Sequence, residues 1–469
     1  MTLTGWAAAT TPRLDIRRTE GKDAARSDRG HGLPLVLRAF RHRNYQLFFG
    51  GQLISLTGTW MQSVAQSWLV YRLTGSAVLL GFVGFSGQIP VFLLAPVGGS
   101  VADRYNRRRI IVATQTAAML LAFILAALTL SGRVQVWHVF ALAALLGVVN
   151  AFDLPTRQAF VMDMVGREDL VNAIALNSSM FNGARMIGPA VAGLLVDTIG
   201  EGWCFFANGV SYLAVIAGLL LMSMTVRMPV PLPGSALASI IEGFRYVRRT
   251  GPIRALLLLL GLVSLVGMPY TVLMPIFADQ ILHGGPRGLG VLMSAIGFGA
   301  LAGALTLAMK KGIHGLGHWV ALSATGFGMS LVLFSLSRSF WLSAALLLPV
   351  GFSIMVEMAS SNTLIQSLVP DSLRGRVMAV YSMTFMGMAP FGSLLAGALA
   401  HRFGAPATVA LGGVVCMAGA VVFGLHLPVL RHEARQIIVA LEAAGGEPPE
   451  EMTREASVAL ARDSKDPEK

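Results

Sequence analysis

The stretch Ile110-Ile-Val-Ala-Thr-Gln-Thr-Ala-Ala-Met-Leu-Leu-Ala-Phe-Ile-Leu-Ala-Ala-Leu-Thr-Leu130 runs without a single Asp, Glu, Lys or Arg. Wound as a helix it is long enough to cross a hydrocarbon core, which takes about 20 mainly apolar residues. Comparable blocks recur, among them 255–275 and 404–427. Across all 469 residues 54% are apolar and 13% charged, whereas a soluble domain carries roughly 25% charged residues. Water cannot accommodate that much apolar surface, so a soluble enzyme is excluded and an all-α membrane protein is expected.

Working outward from this block, twelve transmembrane helices are expected at 44–71, 77–101, 108–130, 137–158, 172–199, 203–224, 253–281, 287–310, 317–337, 341–367, 375–401 and 404–427. Residues 1–37 are polar and basic and read as a disordered cytoplasmic N-terminal arm, with no signal-peptide apolar region. The first six-helix half is assigned to 38–226 and the second to 253–430. Between them a cytoplasmic linker, 227–252, carries Pro229, Pro231 and Pro233 and a candidate amphipathic helix over 236–249. The tail, 431–469, is charged and reads as cytoplasmic.

The formal charge of +12 could suggest nucleic acid, but the basic residues fall in alternate loops and leave no soluble basic domain between spans. The loops after spans 2, 4, 6, 8 and 10 hold 15 Lys and Arg, Arg157 counted among them, and the other five loops hold 5. By the positive-inside rule both termini lie in the cytoplasm. The expected location is therefore the inner (cytoplasmic) membrane, multi-pass. Cys204 and Cys416 fall in spans of opposite halves, with neither a disulfide framework nor metal-ligand spacing.

The halves echo each other at an offset near 202 residues. Arg167-Glu-Asp-Leu-Val-Asn-Ala leads into a helix with Gly188-Pro189 and Gly193, and Pro370-Asp-Ser-Leu-Arg-Gly-Arg leads into one with Ala389-Pro390 and Gly397. Two six-helix pseudo-repeats are a transporter pattern, with the substrate site at their interface near the bilayer midplane.

Between spans 2 and 3 the chain reads Gly99-Ser-Val-Ala-Asp103-Arg104-Tyr-Asn106-Arg107-Arg108-Arg109. This resembles the loop signature of the major facilitator superfamily, with Asn106 where a second glycine is usual; Asn also tolerates a left-handed turn. The resemblance implies a gating loop in which Gly99, Asp103, Arg104 and Arg107 brace helix ends and set the inward/outward balance. The segments at Phe152-Asp-Leu-Pro-Thr-Arg-Gln-Ala-Phe, Asn172-Ala-Ile-Ala-Leu-Asn177-Ser and Phe181-Asn-Gly-Ala-Arg185-Met-Ile-Gly188-Pro189 look like the enterobactin exporter-like and drug–proton antiporter branch. Gly188, Pro189 and Gly193 partly match its antiporter helix signature, with Ala192 in place of a glycine. Physically, Pro189 frees one backbone bond while the glycines admit a neighbouring helix.

Inside the spans, Gln52, Ser55, Thr59, Gln62 and Gln66 recur at three- and four-residue steps and form one polar stripe. It lines either a central cavity or a helix-to-helix hydrogen-bonded seam; Asn177, Asn182 and Asn362 join it as cavity-lining candidates. Arg185 falls near the midplane of span 5, where a charge costs roughly 2.5–3.5 kcal/mol on insertion scales. It should pair with Asp153 or Glu357, or face water. An acid hydrated in one state and buried in another gains and loses a proton with access, so Glu357, Asp153 and Arg185 are the proton-coupling candidates.

The function expected is secondary active transport: proton-coupled export of a small lipophilic molecule, drug or siderophore, by alternating access. An importer or lysophospholipid carrier would share the fold. An intramembrane enzyme is suggested only by Gly84-Phe-Ser86-Gly87, without a histidine at matching depth to activate the serine. His432-Glu433 lacks a second metal-binding histidine, and no phosphate-binding loop is present. The energy source is then a proton gradient, with no cofactor and no metal. The partners are a small-molecule substrate and the lipid bilayer, with no nucleic acid, and the chain is expected to act as a monomer. The 23 Met and 24 Phe suit a pliable pocket or simply a lipid-facing surface.

Overall fold

The computed structural model describes residues 35–166, 168–223, 236–310, 312 and 315–443. Most of the expected N-terminal arm, part of the linker, the end of the tail, and Arg167, Arg227 and Lys311 lie outside the described residues. After a 3-10 turn at Leu35–Arg41, the long helices are α1 (Arg43–Thr74), α2 (Ala77–Ala102), α3 (Arg107–Leu130), α4 (Val136–Val165), α5 (Leu170–Ile199) and α6 (Glu201–Leu221). The short α7 (Ala236–Arg249) precedes α8 (Gly251–Ile281), α9 (Gly285–Met309), α10 (Leu316–Leu336), α11 (Phe340–Leu368), α12 (Asp371–Phe403) and α13 (Ala405–Ala443). No strand occurs among the described residues.

The connections are too short to let a long helix do anything but reverse. Gly75, at φ 60°, caps α1 in the left-handed region, and Ser76 caps the start of α2 by accepting from the Leu79 amide, so two residues suffice to turn the chain. Asn106 does not adopt the left-handed turn that its place in the motif suggested. Its φ is −62°, and its side chain accepts from the Arg109 amide at 3.2 Å, so it works as the N-cap of α3.

Among the described residues ten helices are long and apolar enough to cross a membrane, and only 22–56% of each apolar window is buried within the protein. The remaining apolar surface, with Leu322, Leu425 and Trp341 exposed, needs lipid, and the chain is a multi-pass membrane protein. The two expected spans missing from that set, α1 and α5, are full-length helices of 32 and 30 residues. Their polar content (Gln52, Gln62 and Gln66 in one, Asn177, Asn182 and Arg185 in the other) lowers their hydropathy because they face other helices.

α4 continues to Val165, seven residues past the expected end of that span, so Arg157 is a half-buried helix residue rather than a loop cation. α8 is interrupted: π-helical turns at Val263–Gly267 and Phe277–Ile281 flank Tyr270–Ile276. Such bulges distort the backbone ladder and gather at functional sites.

Candidate functional site: the seam between two sets of helices

α1 begins and α13 ends on the same side of the bundle, here called the terminal end; the opposite side is the far end. The helices α1–α6 meet α8–α13 chiefly through two pairs, α2 with α12 and α5 with α9. Toward the far end these pairs touch backbone to backbone. A Cβ at Gly81 would lie 2.4 Å from the Ser393 carbonyl oxygen, and one at Gly397 2.7 Å from that of Ala77. A Cβ at Gly290 would lie 2.5 Å from the Pro189 oxygen, and one at Gly193 2.9 Å from the Gly290 Cα. All four distances are below any normal contact, so glycine is required at each. The Tyr71 hydroxyl adds a bond across the same end, donating to Asp279 Oδ2 at 2.6 Å.

Following one face of α5 shows where closure stops. Pro189, Ala192, Gly193 and Val196 are buried toward the far end; three- and four-residue steps from Arg185 toward the terminal end reach Phe181, Ser178 and Ile174, all exposed. At the terminal end the ion pairs stay within one set of helices. Arg107 of α3 binds Asp163 of α4 at 2.9 Å and lies 3.7 Å from Asp103. Asp169, its side chain wholly buried, is held by Arg41 at 2.7 Å, His42 at 2.8 Å and Arg38 at 3.2 Å. Burial pushes the Asp169 carboxyl up, but the His42 hydrogen bond and the charges of Arg41 and Arg38 outweigh it and hold it below its ordinary value. On the other set, Arg376 of α12 pairs with Glu242 of α7.

The expected polar stripe on α1 divides between two uses. Gln52 accepts from Arg157 at 3.0 Å and Gln62 accepts from Asn208 at 2.7 Å, so both are bonded to neighbouring helices. Ser55 is buried, with its carbonyl accepting from the Thr59 hydroxyl. Gln66 is half-buried. Asn177 accepts from the Tyr45 hydroxyl, Asn182 donates to the Ser178 carbonyl, and Asn362 accepts from Gln366. Of the gating-loop residues, Asp103 and Arg107 come together, Arg104 is exposed, and a Cβ at Gly99 would meet nothing within 4 Å.

The charged candidates do not pair as the sequence suggested. Asp153 is buried and satisfied by Arg157, Thr114 (2.7 Å) and Gln115 (3.0 Å). Glu357 is fully buried, with Ser361 donating to Oε1 at 3.4 Å and Oε2 lacking any partner. Arg185 is bonded to neither acid; its guanidinium lies over the Trp60 ring, 5.6 Å from the centroid. The expected ion pair is absent because α5 presents Arg185 toward Trp60 of α1 while Asp153 is held by its own helical neighbour Arg157.

Sequence reasoning passed over Trp60, Tyr270, Asp163 and Asp169. Trp60 lies one residue off the polar stripe it could have been read with, and Tyr270 follows the Met268-Pro269 break. The acids are terminal-end residues whose partners sit 56 and up to 131 positions away.

The profile of the transmembrane secretion effector family matches residues 36–448. The chain is 26% identical over 380 residues to a staphyloferrin A transporter of Staphylococcus aureus, covering 80% of this chain and 94% of that protein. It is 28% identical over 393 residues to the multidrug efflux pump Tap of Mycolicibacterium fortuitum (80% and 93%), and 26% over 394 residues to the enterobactin exporter EntS of Escherichia coli (83% and 93%). Among solved structures, the nucleoside transporter NupG aligns with a TM-score of 0.65 at 13% identity, covering 84% of this chain and 99% of that one. A POT family transporter aligns at 0.68 and 12%, covering 83% and 97%. At such identities these two speak for the fold alone.

Proposed function

Since the chain belongs to the transmembrane secretion effector family, within the major facilitator superfamily, we propose that it exports a small lipophilic molecule, drug or siderophore, by alternating access driven by a proton gradient. In this reading twelve spans form two six-helix halves, α1–α6 and α8–α13, with both termini in the cytoplasm of an inner-membrane protein. The terminal end is then the cytoplasmic end, and the conformation is open inward.

The observation that carries the reading is the asymmetry along α5: sealed by glycine contacts from Arg185 to the far end, exposed from Arg185 to the terminal end. A cavity reachable from one side only is what a carrier needs, and substrate would enter it from the cytoplasm. Glu357 supplies coupling. Its free Oε2 sits about 26 Å along a helix about 44 Å long, at a depth where access to water decides whether the carboxyl is ionised. Asp153, with three side-chain partners, acts as a structural acid. Asp103 and Arg107 brace the terminal end against Asp163, and Gly188, Pro189 and Gly193 form the bendable helix about which the halves close.

Uptake into everted vesicles tests this, with a panel of lipophilic drugs and a catechol siderophore, with and without a proton uncoupler. Uncoupler-sensitive accumulation that Glu357→Gln abolishes is expected. Accumulation indifferent to both would remove proton coupling through Glu357.

A further inference from the structure

Arg185 is a cation without a counter-ion at mid-depth. It sits about 22 Å along a helix about 45 Å long, and among the described residues no acid lies within ion-pair distance of it. Arg185 is half-buried, whereas the buried charges discussed above each have an opposite charge beside them or a hydrogen-bonding neighbour. Arg185 has the face of Trp60, and a ring quadrupole offers only about 0.5–2 kcal/mol, while a central charge costs roughly 2.5–3.5 kcal/mol or more.

A second, independent group points at the same place. Tyr270, 3% exposed, stands just beyond the π-helical turn of α8, and its hydroxyl has no hydrogen-bond partner. The segment Tyr270–Ile276 packs against α1, the helix that carries Trp60. A buried phenol without a partner costs free energy unless something accepts from it. One ligand group would satisfy both residues: an anion, accepting from the guanidinium and from the hydroxyl. An arginine fork matches the paired oxygens of a carboxylate or sulfonate.

The surroundings specify the rest of the ligand. Trp60 and Phe181 form an edge-to-face pair, ring centroids 5.6 Å apart, and Phe181 is exposed toward the terminal end. Gly188 makes the wall possible, since a Cβ there would lie 2.6 Å from the Trp60 Cβ. A ring attached to the anion would rest against this wall on the open side. α1 and α5 thus supply the wall and the cation, and α8 supplies the hydroxyl, so a ligand held there touches both sets of helices.

We propose that Arg185, Tyr270 and Trp60 form the substrate's anion-binding site, and that the transported molecule is an organic anion with an aromatic ring beside its charge. This rests on the export reading for its use of the word substrate, but its test does not.

Binding is measured without any gradient, by calorimetry on the full chain in lipid nanodiscs, with naphthalene-2-sulfonate and its uncharged analogue naphthalene-2-sulfonamide. The sulfonate is expected to bind at least tenfold tighter than the sulfonamide. Arg185→Gln is expected to erase that difference, Arg185→Lys to restore part of it, and Tyr270→Phe to weaken the sulfonate several-fold with little effect on the sulfonamide. Equal binding of the two probes, no sulfonate binding by the folded wild type, or an unchanged preference in Arg185→Gln would each overturn the proposal. If Arg185→Gln does not fold, the Tyr270→Phe and Arg185→Lys preferences still decide. A wild type that binds the anion yet moves nothing under a proton gradient would leave this site standing and remove the export reading.

Discussion

The two ends of the bundle are held by different chemistry. At the far end α5 meets α9 and α2 meets α12 through glycine, with the Tyr71–Asp279 bond as the polar addition. At the terminal end charge replaces packing: Arg107 with Asp163, and three cations from the turn before α1 around Asp169, none of them bridging to α8–α13. Backbone contact in lipid is short-ranged and sensitive to a single methyl group, whereas ion pairs at a wet boundary are weaker and tolerant of geometry. The lesson is that the seal between the halves depends on small residues, while the charges keep each half's terminal end in order.

The largest effect expected follows from breaking the glycine seal. Gly290→Val places atoms where the Pro189 carbonyl already lies, and overpacking of this kind costs about 1–3 kcal/mol, a shift of roughly five- to a hundredfold toward opening of the far end. A cysteine at Ser178, on the exposed stretch of α5, reports it: its labelling by a water-soluble maleimide should fall in Gly290→Val, and unchanged labelling would mean the contact does not hold the state. Tyr71→Phe is next. It removes a hydrogen bond to a carboxylate, a contribution of about 1.5 kcal/mol, and should move the same labelling about tenfold in the same direction.

Arg107→Gln probes the other end and should do less. Exposed pairs contribute about 0.2–1 kcal/mol, so labelling at Ser178→Cys should stay within about fivefold of the parent; a larger change would make the loop a lock between halves. The smallest effect near neutral pH concerns Asp169. Its folded value is depressed, so its stabilisation is complete above the unfolded value of 3.8 and is lost as pH falls through the lower folded value. Melting temperature should therefore show no pH-dependent change from this group down to about pH 5 and a loss only below 3.8, absent in Asp169→Asn. A loss already present in that variant would assign the acid sensitivity elsewhere.

Much of this was readable from the sequence because lipid imposes a length on apolar blocks. α2 and α3 begin and end within a residue of the limits their composition suggests, and α7 spans the 236–249 expected from its amphipathic pattern. The depths of Arg185 and Glu357 were readable for the same reason. What each touches was not, because pairing between helices a hundred residues apart leaves no local periodic trace. Arg157 was misread as a loop residue because its charge looked like topology, when Asp153 one helical turn earlier neutralises it. The π-helical turns of α8 were invisible for another reason: a bulge is a strain relieved by tertiary packing, and Pro269 and Pro275 could equally have marked kinks.

The central claim is that the far end is sealed and the terminal end open in one state, and that the two exchange. Paired spin labels measure it directly in the full chain in nanodiscs, one pair at Ile174→Cys and Met309→Cys near the terminal end, the other at Thr198→Cys and Arg287→Cys near the far end. Introducing Glu357→Gln, which mimics the protonated carboxyl, should shorten the first distance and lengthen the second. Distances that stay fixed, or that lengthen and shorten together, would contradict alternating access about the α5–α9 seal.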